Sequence, residues 1–403
     1  MNYQAHANIF RGAVAALPDP LRQQIAAFED LLDDAGNYPD IFDNGTLPEA
    51  DKDAIDPGWR RFCLYPEGMA GKNMHSWPFP REQQTDHLPM LRHLFGHAVD
   101  AWKAGDIEGG IKFAGCLSHY LGDVTQPAHL LDQQLMEQLL PTPGDYSEFH
   151  YHFTVEAVVG ACPPLAAPKL LGASLDEACW RLMEFNRRAI NDCRAFIVPT
   201  VQALFARDGE KAAELAAYPV QVAAEGTRDI LYTVAALATG DFVADRSAPL
   251  DLRTWFPDRQ SIPIAYGKAF IDQNKSSGPT NGPLHPAKLR TTTGDVQEVH
   301  GLGVIGRSWL QWSLPAGLFD RFEATIGMHP ELATGGSGDF VVLLDGNEVF
   351  RSGPMTLDDP GRAISIPLGE STELTLRVDD PSGGLTFYFN HAVWASPVLQ
   401  YAR

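Results

Sequence analysis

Between residues 119 and 129 the chain reads HYLGDVTQPAH. His119 and Asp123 stand four residues apart, so on a helix both project from one face. An imidazole nitrogen and a carboxylate oxygen placed there can reach one cation at roughly 2.0–2.2 Å. Pro127 ends the helix, and His129 falls where it could serve a neighbouring ion. A second pair with the same spacing, His152 and Glu156 in HFTVE, follows downstream. Upstream stand Asp40 in NYPDIFDN, His75 in MHSWPFP and His6 near the start. A lone His–Asp pair on a helix is usually a surface ion pair. Two such pairs, a broken helix between them and donors spread over several segments point instead to a polynuclear zinc site. On the residues alone, both readings stand.

Long helices must position such donors, and the chain has them. LRQQIAAFEDLLDDAG, LPMLRHLFGHAVDAWKAG and QVAAEGTRDILYTVAALATG carry apolar residues three and four apart. The first and third run into glycines suited to helix ends. From about residue 252 the texture changes to short strand-like runs: FEATIGM, DFVVLLDGNEVFRSG, AISIPLG, STELTLRVDD and LTFYFNHAVW. Asp345-Gly346 is a hairpin-turn signal between two of them. The expected architecture is an all-α bundle over residues 1–245, then a β-sandwich or jelly roll over 252–403.

Composition narrows the function. With 31 Lys and Arg against 51 Asp and Glu, the net charge is −20. That charge excludes loose electrostatic binding of nucleic acid, though not a metal site that grips one phosphate. No run approaches the roughly 18 apolar residues of a membrane span. The start, MNYQAHANIFRGAVAALP, lacks the basic head and continuous apolar core of a signal peptide. The expectation is a protein that stays inside, leaves without such a signal, or has already lost a leader. The five cysteines show no CxxC spacing and are expected to be mostly buried free thiols, with one disulfide as the alternative.

SHYLGDVTQPAH resembles the signature of the zinc-dependent phospholipases C and the related single-strand nucleases. AHANIFRGAVAALP is similar to that family's first helix, YPDI to its aspartate segment and HFTVE to its last ligand pair, in the same order over roughly residues 1–240. The resemblance implies an all-α bundle holding three zinc ions. Residue by residue, it implies Asp40, His75, His119 and Asp123 on the first ion, and His129, His152 and Glu156 on the second. The third would take His6, a bridging Asp123, and the α-amino nitrogen and carbonyl oxygen of Met1. Met1 keeps the family's spacing to the histidine but stands where the family has Trp. Zinc suits this mixture of nitrogen and oxygen donors. Two ions bridged by Asp123 would acidify a shared water for attack on phosphorus, with Asp40 as general base.

The activity implied is that of a phospholipase C, releasing diacylglycerol and a phosphorylated head group from phosphatidylcholine or a related lipid. A nuclease or nucleotidase on the same scaffold is the alternative, and a glycan- or surface-binding protein with an inactive helical domain is a third. The complete donor set argues against the third. The acidic charge and the appended sandwich favour lipid over nucleic acid. Ile41 and Lys72 replace the aromatics of the lecithinase choline site, which leaves Phe42, Trp77 or Tyr151 to rebuild a cage for a quaternary ammonium.

The C-terminal half resembles the NPCBM family of carbohydrate-binding modules, a jelly-roll fold similar to galactose-binding domains. The likeness rests on GLG, FEATIGM, LDGNEVFRSG and HAVW, over roughly residues 255–400. It implies the fold and raises a glycan ligand without identifying one. Asn390 stands where the family usually has Asp. Trp394, Phe387 and Tyr388 could stack on a sugar, core packing being the expectation for most of them. The toxin-like phospholipases carry a calcium-dependent lipid-binding sandwich instead; Asp379 and Asp380 would be calcium donors, although a solvated turn explains them equally well. Three other signals are declined. Gly301, Gly303 and Gly306 have GxGxxG spacing but no strand–helix unit, and are expected to form a β-turn segment. His93 and His97 are expected to pack or face solvent. His150 is at most a support for His152.

Overall fold

The computed structural model describes residues 3–42, 47–63, 88–130, 133–240, 248–255, 257–263, 268–276, 282–332, 336–381 and 390–402. The chain forms two compact units, Met1–Ala244 and Asp245–Arg403. None of the helices among the described residues is long and apolar enough to cross a membrane.

The first unit is helical: α1 Tyr3–Ala15, α2 Leu21–Ala26, α3 Leu31–Asp34, α4 Tyr38–Phe42, α5 Glu49–Ile55, α6 Arg60–Cys63 and α7 Leu88–Lys103. There follow α8 Ile107–Thr125, α9 Gln133–Leu139, α10 Tyr151–Glu156, α11 Leu175–Arg194, α12 Ile197–Phe205 and α13 Gly209–Thr239. The centre is α8, which packs against α1, α7, α11 and α13. Its sequence, IEGGIKFAGCLSHYLGDVT, is apolar or small almost all round, as a helix enclosed by others must be. Asp106 caps its start by accepting from the Gly109 N–H at 2.9 Å. Gln126, extended and followed by Pro127, stops it. The segment LRQQIAAFEDLLDDAG does not make one helix as its periodicity suggests. It divides into α2, α3 and a 3-10 turn at Ala35–Asn37, whose backbone lies so close to α8 that a Cβ on Gly115 would stand 2.2 Å from the Ala35 carbonyl oxygen.

The second unit is a β-sandwich. Its strands are β1 Leu250–Asp251, β2 Arg259–Ser261, β3 Phe270–Ile271, β4 Gln273–Lys275, β5 Leu284–Pro286, β6 Lys288–Arg290, β7 Val296–Glu298 and β8 Gly301–Ile305. Then come β9 Ser308–Ser313, β10 Phe319–Met328, β11 Ser337–Leu344, β12 Asn347–Thr356, β13 Arg362–Pro367, β14 Glu373–Asp379 and β15 His391–Tyr401. One sheet runs β13-β10-β15-β8-β3 with β1 also on β15, and the other runs β12-β11-β14-β9-β2. Alternation along β9 buries Ser308, Leu310 and Trp312 and leaves Trp309, Gln311 and Ser313 half-buried. Trp394 of β15 meets Phe340 of β11 edge to face at 5.1 Å, joining the two sheets in the core. Asp345 and Gly346 both take positive φ in the β11–β12 hairpin, as the turn signal requires.

The Gly301–Gly306 run differs from expectation. Gly301 and Gly303 lie in strand β8, and the turn is made by Gly306 and Arg307. Glycine is needed there because a Cβ on Gly303 would stand 1.9 Å from the Gln273 carbonyl oxygen. All five cysteines are free thiols.

Candidate metal centre

Five elements bring the donors together. His6 projects from α1, Asp40 from α4, His119 and Asp123 from α8, and His129 from the 3-10 turn Pro127–His129 that begins where α8 stops. His152 and Glu156 come from α10. The N-terminus of α10 is fixed by His150, whose Nδ1 accepts from the Phe153 N–H at 3.3 Å. His150 thus acts through the backbone that carries the ligand pair. Met1 and His75 lie outside the described residues.

Asp123 sits in the middle, with a side chain only 2% exposed. Its Oδ1 stands 3.6 Å from His6 Nε2 and 3.8 Å from His129 Nε2, and its Oδ2 stands 3.5 Å from His119 Nε2. On one side His6, Asp40 and His119 form a group; on the other, His129, His152 and Glu156 form a second. In the second group Glu156 Oε1 is 3.3 Å from His129 Nε2, and its Oε2 is 3.4 Å from His152 Nε2. A charge-assisted hydrogen bond would draw such pairs to ~2.7–2.9 Å. Two donors that share one tetrahedral cation at ~2.1 Å stand about 3.4 Å apart. The gaps match a shared cation.

His6 gives the second indication. Its ring is fully buried, and neither nitrogen has a hydrogen-bond partner among the described residues. An unpartnered buried imidazole is costly unless something absent from the polypeptide satisfies it. Its ring stacks on His119 at 4.1 Å and 19°, an arrangement two protonated imidazoles would resist. Burial pushes its pKa down to about 4, so near neutral pH it is an uncharged donor. For Asp123 burial acts upward, yet the carboxyl is held well below the usual range by surrounding positive charge, His129 and His119 contributing. Glu156 is likewise held down to about 2 against its burial, with the adjacent His129 the leading cause.

Supports that the sequence reading passed over orient these side chains. The Nδ1–H of His119 donates to the Gly36 carbonyl at 2.9 Å, which leaves Nε2 as the donor atom facing Asp40 and Asp123. Gly122 lets the His6 ring lie on α8: a Cβ there would stand 2.7 Å from its Cε1 and Nδ1. Interior helix glycines cost about 1 kcal/mol relative to alanine, and that cost was the available signal. The short helix carrying Asp40 is pinned at both ends. Tyr38 donates to Asp56 at 2.6 Å, Lys112 donates to the same oxygen at 2.8 Å, and Lys52 Nζ donates to the Phe42 carbonyl.

Other sequence candidates find different places. Phe42 is buried and stacked on Trp59 at 5.7 Å, so it is not available for a quaternary-ammonium cage; Tyr151 is also buried. Lys72, Trp77, Phe387 and Tyr388 lie outside the described residues. Trp394 is core rather than a sugar platform. Asp379 pairs with Arg351 and Arg377, and Asp380 with Arg307 and Asn390, so these acids already have protein partners. His97 stacks on Phe113 at 5.2 Å, as a packing residue does.

Comparison with known proteins gives one family match and several structural likenesses. Residues 270–400 match the NPCBM/NEW2 domain family. No curated protein matches the chain. Among solved structures, the CBM51 of Clostridium perfringens GH95 in complex with methyl-galactose is 24% identical over 38% of this chain and 99% of that one, with a TM-score of 0.32. CBM51-2 with the INT domains of Clostridium perfringens ZmpB, in complex with GlcNAc, is 20% identical over 38% of this chain, with a TM-score of 0.33; this chain spans only 32% of that one. The alpha toxin of Clostridium absonum is 11% identical over 99% of this chain and 94% of that one, with a TM-score of 0.36.

Proposed function

We propose that the helical unit is a zinc-dependent phosphodiesterase of phospholipase C type, which cleaves phospholipids to diacylglycerol and a phosphorylated head group. The observation that carries this reading is one cluster of four histidines and three carboxylates: His6, His119 and His129 face Asp123, Asp40 faces His119, and Glu156 faces His129 and His152, at 3.3–3.8 Å. The donor chemistry, neutral imidazole and carboxylate, fits zinc. One ion would take Asp40, His119 and Asp123, a second His129, His152 and Glu156, and a third His6 and Asp123. Met1 and His75 complete the proposed set.

Bound zinc would supply Lewis-acid stabilisation of the phosphoryl oxygens and would acidify water near neutral pH. The protein's own part follows from the geometry. Asp123 holds the histidines of both groups around one carboxylate, so their spacing is set before substrate arrives. Asp40, with a side chain 36% exposed, is the most accessible carboxylate of the set, against 2% for Asp123 and 19% for Glu156. It takes the proton that the attacking water loses as the new O–P bond forms and the ester bond to glycerol breaks. That proton then passes to the glycerol alkoxide, which leaves as the free alcohol.

The family match of residues 270–400 supports a surface-binding role for the sandwich, with a glycan as ligand. The test is direct. Purified chain, with and without chelator, is assayed for diacylglycerol release from phosphatidylcholine and other phospholipids, and for nucleotide release from single-stranded DNA. Diacylglycerol release that chelation abolishes and zinc restores is expected. Turnover of DNA alone would exchange the substrate class, and no turnover of any phosphodiester would overturn the reading.

A further inference from the structure

The segment NYPDIFDN, which supplies Asp40, opens on a residue with no part in the proposed site. Asn37 ends the 3-10 turn Ala35–Asn37 and is fully buried. Its Nδ2 donates to the Asp33 carbonyl at 2.7 Å and to the Tyr3 carbonyl at 3.2 Å. Two carbonyls against one end of the amide fix that end as the nitrogen. The other end, Oδ1, is buried without a hydrogen-bond partner among the described residues. A buried acceptor left unmatched is costly, so the value of this side chain lies in what its donors join. They join α3 and the turn to the start of α1, three residues before His6. The other ties between α1 and α3, Tyr3 to Asp34 and Arg11 to Asp33, are exposed to water, where such pairs contribute little. The rest of the turn meets the donors directly. Gly36 accepts from His119 Nδ1 at 2.9 Å, and a Cβ on it would stand 3.2 Å from the His6 carbonyl oxygen. Tyr38, the next residue, begins the helix that carries Asp40. Within the turn, Asn37 is the only residue with a side chain longer than a methyl group.

We infer that Asn37 is a positioning residue for the donor group His6, Asp40 and His119, holding α1 at the distance from α8 at which these side chains share cations. It touches no cation itself and acts through backbone. His129, His152 and Glu156 hang instead from the turn Pro127–His129 and from α10, whereas the bonds of the Ala35–Asn37 turn run to α1, α3 and α8. Asn37 therefore governs the ions beside His6, Asp40 and His119 and leaves the ion of the second group alone. This rests on the zinc part of the reading above and not on its substrate. Residues that orient metal ligands from behind typically carry about 10–100-fold in metal affinity. For Asn37, one step further back, the lower end of that range applies.

The test uses the full chain and reads zinc rather than turnover: metal per chain after dialysis against buffers of fixed free zinc. In Asn37→Ala the two ions beside His6, Asp40 and His119 should bind about tenfold more weakly, and the ion of His129, His152 and Glu156 should bind as in wild type. Asn37→Ser keeps a hydroxyl that can bond back to the Asp33 carbonyl four residues earlier but is too short to reach Tyr3. It should fold readily and show the same split. Thr233→Val is the control for a purely structural loss. It removes the bonds of Thr233 to the Leu171 N–H and the Asp229 carbonyl on the buried side of α13. It should lower the melting temperature of the zinc-free chain and leave every zinc affinity, and the rise in melting temperature that zinc produces, unchanged. Equal weakening of all the ions in the Asn37 variants, or wild-type zinc binding in Asn37→Ser, would overturn the inference. The split observed in a chain that cleaves no phosphodiester would support it while sinking the phosphodiesterase reading. A wild-type chain that binds no zinc would overturn both.

Discussion

Gly122→Ala separates helix propensity from site geometry. By propensity alone, alanine within α8 should stabilise the helix by about 1 kcal/mol. In place, its Cβ would stand 2.7 Å from Cε1 and Nδ1 of His6 and 3.4 Å from Ile9 Cδ1. Ordinary carbon contacts lie at ~3.5–4.0 Å, so the ring must move by about 1 Å. Overpacking of this kind costs about 1–3 kcal/mol, which the propensity gain partly offsets, so the variant should fold with a modest loss of thermal stability. Its site should suffer more: a 1 Å misplacement of a donor costs on the order of 100-fold in turnover. The assays are zinc per chain by mass spectrometry, thermal unfolding, and hydrolysis of a short-chain phospholipid. The steric cause is checked in the His6→Ala background. There the ring is gone, and Gly122→Ala should stabilise by about the propensity value. If Gly122→Ala keeps full zinc and full turnover beside an intact His6, the reasoning fails.

Further outcomes follow from other contacts. Asp123→Ala should cost more zinc and more activity than His152→Ala, because Asp123 faces donors of both groups whereas His152 belongs to one; equal losses would contradict this. Tyr38→Phe should lower stability by about 1 kcal/mol. Lys112→Met should cost more, about 2 kcal/mol, since it leaves the half-buried Asp56 without its cation; calorimetry of both variants checks the order. In the sandwich, burial lowers the pKa of His391 from 6.5 to about 4. Above pH 6.5 both folded and unfolded chains hold it neutral, and stability is unaffected. As pH falls from 6.5 towards 4 the unfolded chain protonates first, and about 3 kcal/mol is lost. His391→Gln should flatten that slope in acid titrations followed by sandwich tryptophan fluorescence.

Much of this was legible in the sequence, for reasons that differ by element. The pairs His119/Asp123 and His152/Glu156 could be read because a helix converts four-residue spacing into one face, independent of tertiary context. The α-then-β division was readable from the change in hydrophobic period, and the hairpin from Asp345-Gly346. That His6 stacks on His119 could not be read, because it depends on how closely α1 approaches α8, which Gly122 decides. The single helix suggested around Leu31 breaks because the backbone at Ala35–Asn37 has to fold under α8 and deliver the Gly36 carbonyl to His119. Local periodicity carries no record of that long-range contact. The Tyr38–Asp56–Lys112 clamp was missed for the same reason: its members are far apart in the chain and individually ordinary.

The central claim is that cations sit between the histidines and carboxylates around Asp123. Anomalous diffraction from crystals of the zinc-replete chain, recorded on both sides of the zinc absorption edge, tests it most directly. The account predicts one peak beside Asp40, His119 and Asp123, another beside His129, His152 and Glu156, and a third beside His6 and Asp123, all vanishing below the edge. Crystals of active protein with no zinc peak within bonding distance of Asp123 would contradict it.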